Sequence, residues 1–176
     1  RFTISNFVGC EKLTVKYANQ SKYFNRFYLE YGDGTYLDSI NFNKHTYQIY
    51  DRSLAQQVFK PRLFVVDSLG CLAMYKAKDS IVVKRSPNAN YSIDRDTGCS
   101  ALKISFKNLS LGSQTVKWDF DGDGRIDNNS DAPQYFYPTG NFKPVLIARA
   151  ANGCEDTLRN KFNIKAYAPP VASFVA

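Results

Sequence analysis

Leu102-Lys103-Ile104-Ser105-Phe106 alternates strictly between apolar and polar residues. That is the period of a strand with one face buried, so Leu102, Ile104 and Phe106 are expected in a core while Lys103 and Ser105 face water. Leu13, Val15 and Tyr17 repeat the same spacing near the start of the chain. Similar short runs rich in Val, Ile, Phe, Tyr and Thr recur throughout, broken by Gly, Asn, Asp and Pro, and no long stretch shows the three-and-four spacing of a helix. The pattern predicts an all-β chain. In its second half it predicts strands near Tyr91–Asp94, Leu102–Lys107, Thr115–Phe120, Gln134–Tyr137, Phe142–Ala150 and Thr157–Ala166. Trp118 and Phe120 alternate with Asp119, which sends both rings inward and leaves the carboxylate to point outward or to cap the following turn.

The pattern also repeats. Phe2–Cys10 (FTISNFVGC) corresponds to Tyr91–Cys99 (YSIDRDTGC), and LTVKYANQS from Leu13 to LKISFKNLS from Leu102, both at an offset of 89. Phe59–Cys71 (FKPRLFVVDSLGC) corresponds to Phe142–Cys154 (FKPVLIARAANGC) at an offset of 83. Pro170 and Phe174 echo Pro87 and Tyr91. The expected organisation is one sandwich over residues 1–85, a second over 86–168, and a linker with the start of a third repeat over 169–176. Proline at the joints keeps such linkers extended. Between Tyr47 and Phe59 the first copy is longer than the second; an insertion at a loop tip is where a repeat acquires its own partner, although most such insertions are neutral.

Repeats of about 85 residues bury little area each and commonly need a staple. Each copy has a cysteine near its start and another near its end, so equal treatment of the two copies selects Cys10–Cys71 and Cys99–Cys154. Each such bridge is worth about 4 kcal/mol on a chain-entropy estimate. Paired cysteines point to an oxidising compartment. Zinc is disfavoured, because no two cysteines lie closer than 28 residues and His45 is the only histidine. No apolar run is long enough to span a membrane.

LeuGluTyrGlyAspGly (Leu29–Gly34) aligns with TrpAspPheAspGlyAspGly (Trp118–Gly124). Together with His45-Thr46-Tyr47 and Leu69-Gly70-Cys71 in the first copy, and Tyr135-Phe136-Tyr137, Gly140-Asn141-Phe142, Val145 and Asn152-Gly153-Cys154 in the second, this resembles the PKD domain, an immunoglobulin-like β-sandwich. Leu29 departs from the family's tryptophan. The cysteine placement is similar to that of PKD repeats in large secreted proteins of gliding bacteria exported by type IX secretion, the SprB-like adhesins. That resemblance implies an extracellular, surface-exposed, non-catalytic spacer that presents adhesive regions and whose partners are neighbouring repeats and a surface glycan or protein. The other function class is a carbohydrate- or protein-binding accessory module of a secreted enzyme.

Charge and candidate chemistry separate the two copies. Residues 1–85 carry 13 Lys and Arg against 7 Asp and Glu, whereas residues 86–176 carry 10 against 9. The basic residues are scattered, with no run longer than Lys84-Arg85 and no nucleic-acid signature, so they read as solvated strand faces and no nucleic-acid partner is expected. Residues 23–50 hold nine aromatics: Tyr23, Phe24, Phe27, Tyr28, Tyr31, Tyr36, Phe42, Tyr47 and Tyr50. Alternation puts Arg26, Tyr28 and Glu30 outward; outward tyrosines either cover the edges of a small domain, the reading favoured here, or, beside basic residues, form a ligand surface, for which Tyr28, Arg26 and Tyr50 are the candidates. In the second copy Asp119, Asp121, Asp123 and Asp127, with Asp131 beyond them, follow half of a calcium-loop spacing around Gly124. Calcium and an ion-free acidic turn are equally compatible with that series, and Ser130 stands where an EF-hand has its bidentate Glu. Carboxylates on one exposed loop do not face each other across a cleft as glycoside hydrolysis requires. His45, the sole imidazole, is expected as a hydrogen-bonded strand-end residue, and no enzyme activity is expected.

Overall fold

A computed structural model describes residues 2–37, 44–51 and 53–174. The expected Phe42 therefore lies outside the described residues. The chain divides into two compact units, Arg1–Arg85 and Ser86–Ala176.

Unit 1 contains β1 (Phe2–Ile4), β2 (Val8–Cys10), β3 (Lys12–Asn19), β4 (Arg26–Glu30), β5 (Tyr36–Leu37), β6 (Lys44–Gln48), β7 (Gln56–Phe59), β8 (Arg62–Val66), β9 (Leu72–Lys76) and β10 (Ile81–Lys84). One layer is the ladder β1-β3-β6. The other is β5-β4-β8-β9, and its last two strands run on into the ladder β2-β10-β7. The break between β7 and β8 falls at Pro61, which has no N–H to give a ladder. Strand β2 lies parallel to β10, with Cys10 opposite Lys84.

Unit 2 repeats the plan with β11 (Tyr91–Ile93), β12 (Thr97–Cys99), β13 (Leu102–Asn108), β14 (Thr115–Asp119), β15 (Gln134–Tyr137), β16 (Gly140–Phe142), β17 (Val145–Arg149), β18 (Glu155–Leu158) and β19 (Ile164–Tyr167). The ladders are β11-β13-β15, β14-β17-β18 and β12-β19-β16. The long strands expected over Phe142–Ala150 and Thr157–Ala166 are each interrupted. Pro144 separates β16 from β17, and residues 159–163 separate β18 from β19, so the halves of each pair with different neighbours. The short parallel strands β2 and β12 were not expected, because three residues are too few to show a period.

The alternation builds both cores. Leu13, Val15 and Tyr17 of β3 pack with Phe27, Leu29, Tyr47, Phe59 and Leu63. Leu102, Ile104 and Phe106 of β13 pack with Trp118, Phe120, Tyr137 and Leu146. Leu29 and Trp118 occupy equivalent places, and both are completely buried. The tyrosines at the centre keep their hydroxyls paired as burial demands. Tyr47 Oη donates to the Tyr31 carbonyl at 2.9 Å, and Tyr137 Oη donates to the Phe120 carbonyl at the same distance.

The cysteines do not follow the expected intradomain pairing. Cys71 and Cys99 are free and exposed, whereas Cys10 and Cys154 are disulfide-bonded, so neither Cys10–Cys71 nor Cys99–Cys154 forms. The topology of each unit shows why. Cys10 sits just ahead of the first residue of β3. Cys71 closes the β8–β9 turn, accepting from Asp67 N, beside Asn25 N, which donates to Val66 O beyond the far end of β3. The eight residues of β3 separate the two by about 25 Å at 3.3 Å per residue, against the roughly 4.4–6.8 Å that a disulfide allows between Cα atoms. Cys99 and Cys154 are separated in the same way, with Cys99 paired to Tyr167 ahead of β13 and Cys154 in the β17–β18 turn beyond its other end.

Candidate functional site

The Gly-Asp-Gly turns follow β4 and β14 and have one architecture with two chemistries. Gly32 and Gly122 hold equivalent places with φ of +83° and +81°, a left-handed conformation that a Cβ strains. Both are also crowded by backbone. A Cβ on Gly32 would lie 2.8 Å from Lys60 N, and one on Gly122 would lie 3.1 Å from Lys143 O.

In unit 1 the Asp33 carboxylate accepts from Thr35 N at 3.0 Å, from Thr35 Oγ1 at 2.6 Å and from His45 Nε2 at 2.7 Å. Burial pushes this carboxyl up, but the hydrogen bonds from Thr35 and His45 outweigh it and hold Asp33 below the ordinary carboxylate range. The His45 ring also stacks on Tyr31 with centroids 3.8 Å apart. His45 is thus a strand-end residue that ties the turn to β6.

In unit 2 Tyr135 takes the place of His45 and stacks on Phe120 at 4.6 Å. The aspartates of this turn serve its backbone. Asp119, buried at 3% exposure, accepts from Gly122 N at 2.6 Å and Gly124 N at 2.9 Å. Asp127 accepts from Phe120 N at 2.7 Å, Asp121 from Asp123 N at 3.1 Å, and Asp123 from Arg125 N at 2.7 Å. Asp119, Asp121 and Asp127 bring one oxygen each within 4.8 Å of one another. Those three could share a hard cation. Asp123 and Asp131 are not in this group, and Asp131 instead accepts from Asn108 Nδ2 at 2.9 Å.

The other candidate surface is the outer face of β5-β4-β8-β9 in unit 1. Strand register sets Tyr28 opposite Phe64 and Phe64 opposite Met74. The Tyr28 and Phe64 rings stack at 4.4 Å with planes 9° apart. Tyr28, Phe64, Tyr36 and Glu30 line a shallow cleft of about 440 Å³. A neighbouring cleft of about 770 Å³ shares Glu30 and is lined by Lys60, Arg62, Lys76 and Lys78. Arg62 donates to Glu30 at 2.7 Å. That pairing raises the guanidinium further and leaves Lys60, Lys76 and Lys78 without an acidic partner among the described residues.

Of the expected ligand residues, Tyr28 and Arg26 share this face, Arg26 lying opposite Val66 at the end away from Glu30. Tyr50 does not line either cleft. It follows β6, where its N–H donates to Gln57 Oε1 at 3.0 Å. Sequence reasoning missed Phe64, Arg62 and the three lysines. Period-two alternation in ArgLeuPheValVal already points Arg62 and Phe64 to one side, but only the register of β4 against β8 brings them to Tyr28.

The chain matches no protein-family model and no curated protein. Among solved structures it is similar to the fibronectin(III)-like modules of Clostridium thermocellum CbhA at 12% identity, over 100% of this chain and 99% of that one, with a TM-score of 0.44. It is also similar to the PKD1 domain of the Vibrio cholerae metalloprotease PrtV at 23% identity, over 47% of this chain and 98% of that one, with a TM-score of 0.38. The PKD1 domain of Vibrio anguillarum Epp matches at 24% identity, over 48% of this chain and 96% of that one, with a TM-score of 0.39.

Proposed function

We propose that this chain is a non-catalytic segment of an extracellular bacterial surface adhesin, in which immunoglobulin-like repeats act as spacers and the first repeat presents a ligand-binding face. The observation that carries this reading is a contrast between cores and surfaces. Both units close separate cores with the same devices, the inward alternation, the buried tyrosine and the Gly-Asp-Gly turn. Their exposed chemistry differs, with stacked aromatics and a cluster of lysines that have no acidic partner among the described residues on one, and converging aspartates on the other. Shared interiors with divergent faces are what a spacer array needs, since each repeat keeps its fold while its surface specialises. The oxidised state of Cys10 and Cys154 supports an oxidising compartment.

The aspartate turn extends the reading to calcium, held by Asp119, Asp121 and Asp127. Extracellular modules bind this ion with dissociation constants of about 10⁻⁴–10⁻³ M.

Two experiments test the reading. Antibodies raised against the chain should label intact cells of the source organism, and labelling only after permeabilisation would overturn the surface assignment. Stretching single molecules should give a separate unfolding event for each repeat. A chain that extends without resistance is no spacer.

A further inference from the structure

We propose that the outer face of the β5-β4-β8-β9 sheet is a binding site for an acidic polysaccharide, with a sugar ring held against Tyr28 and Tyr36 and its carboxylate or sulfate groups held by Lys60, Lys76 and Lys78. The proposal rests on the ligand-presenting role given above and adds the chemical class of the ligand.

Three observations converge on this face. The first is an aromatic platform. Tyr28 gives one face of its ring to Phe64 and lines the cleft with Tyr36, which is 72% exposed. Exposed tyrosine rings present a flat apolar surface for the C–H face of a pyranose, with a hydroxyl at the edge for its polar rim. The second is charge. The neighbouring cleft gathers four cations around one carboxylate, and because Arg62 is engaged by Glu30, the three lysines carry the local field. A concave surface with an excess of one sign of charge concentrates ligands of the other.

The third is spacing. The Glu30–Arg62 pair lies two residues along the ladder from Tyr28–Phe64, the next pair on the same face, about 7 Å on at 3.4 Å per residue. A ring on the aromatic rung therefore brings its acidic substituent, or that of the next sugar, to the lysine cleft. Glu30 and Arg62, half-exposed between the two clefts, offer the paired acceptor and donor that sugar hydroxyls use.

A single-stranded nucleic acid also combines charge with stacking, but it needs a groove with successive stacking platforms that tracks the backbone. Here there is one platform, with Lys60, Lys76 and Lys78 clustered at one end of it and Arg26 alone at the other. An acidic peptide would satisfy the lysines and leave the rings without a stacking partner.

Isothermal titration of the full chain with polygalacturonate oligomers tests the site, with neutral dextran, poly-glutamate and oligo-dT as competitors of other chemistry. Binding to polygalacturonate is expected, weakening as salt rises. Lys76→Ala/Lys78→Ala and, separately, Tyr36→Ala should each weaken it at least about tenfold without altering the amide spectrum, since these side chains are exposed. Equal affinity for poly-glutamate would reduce the site to bare charge and overturn the proposal. So would tighter binding of oligo-dT, indifference to Tyr36→Ala, or absence of polygalacturonate binding. None of these results bears on cell-surface labelling or on mechanical resistance, so the spacer reading stands or falls separately.

Discussion

Replacing Tyr47 with phenylalanine removes a hydroxyl that joins two layers of unit 1. That hydroxyl donates to the Tyr31 carbonyl at 2.9 Å and is hydrogen-bonded to Tyr17 Oη, all among buried groups. The equivalent Tyr137→Phe in unit 2 cuts the bond to the Phe120 carbonyl. A buried polar group that loses its partner costs about 1–3 kcal/mol. Tyr137→Phe should therefore cost about 2 kcal/mol, and Tyr47→Phe, which breaks a second buried bond, about 3–4 kcal/mol. For domains whose total stability is about 0.05–0.15 kcal/mol per residue, the second figure is a large fraction of the whole. Urea unfolding separates the two. Trp118 is the only tryptophan and is buried in unit 2, so its fluorescence reports that unit, while amide resonances of β3 and β6 report unit 1. With m near 1 kcal/mol/M for a domain of this size, midpoints should move by about 2 M and 3–4 M. The Tyr17→Phe/Tyr47→Phe double variant should cost less than the sum of the single variants by at least about 0.5 kcal/mol, because each single change breaks the bond they share. Strict additivity, or a smaller effect in unit 1 than in unit 2, would refute the argument.

Other outcomes follow from the same geometry. Gly32→Ala should destabilise unit 1 by at least about 1 kcal/mol more than Gly34→Ala, because both glycines have positive φ but only Gly32 is walled in by Lys60 backbone while Gly34 opens to solvent; equal melting temperatures would contradict this. Burial raises the tyrosine hydroxyls of Tyr17, Tyr47 and Tyr137 and pushes Tyr91 up to about 12. Since their folded-state values exceed the unfolded value near 10, the stability they contribute is complete below about pH 10 and is lost as pH rises beyond it. Absorbance at 295 nm should accordingly show these four ionising together with alkaline unfolding, and smooth ionisation of every tyrosine near pH 10 in folded protein would be incompatible with their burial. Under native, non-reducing conditions a thiol reagent should label Cys71 and Cys99 and leave Cys10 and Cys154 untouched, as peptide mapping would show; protection of Cys71 or Cys99 would argue for the intradomain bridges. Calcium at millimolar concentration should shift amide resonances at Asp119, Asp121 and Asp127, and Asp121→Asn should reduce that response; unchanged spectra would leave the cluster as a turn held by its own hydrogen bonds.

The short-range pattern was enough for the all-β class and for the inward residues, because alternation is a property of consecutive residues and needs no partner strand. Leu13, Val15 and Tyr17 and their counterparts Leu102, Ile104 and Phe106 are all buried as read. The roles of Asp119 and Gly122 in the turn were legible for the same reason, since an Asp-capped turn closes within a few residues. What the tertiary structure decided depends on register and on distance along the sandwich. Equal treatment of the two copies favours a bridge within each, but a full length of β3 or β13 stands between the two cysteines of each copy. Lysines scattered at positions 60, 76 and 78 read as solvated faces until the antiparallel pairing of β8 with β9 sets Lys76 opposite Arg62 and gathers the others into the same cleft. Tyr28 was visible as an outward ring, whereas its stacking on Phe64 comes only from the pairing of β4 with β8. Local sequence sets which side of a strand a residue faces, and the strand-to-strand register, fixed by the whole core, sets what it faces there.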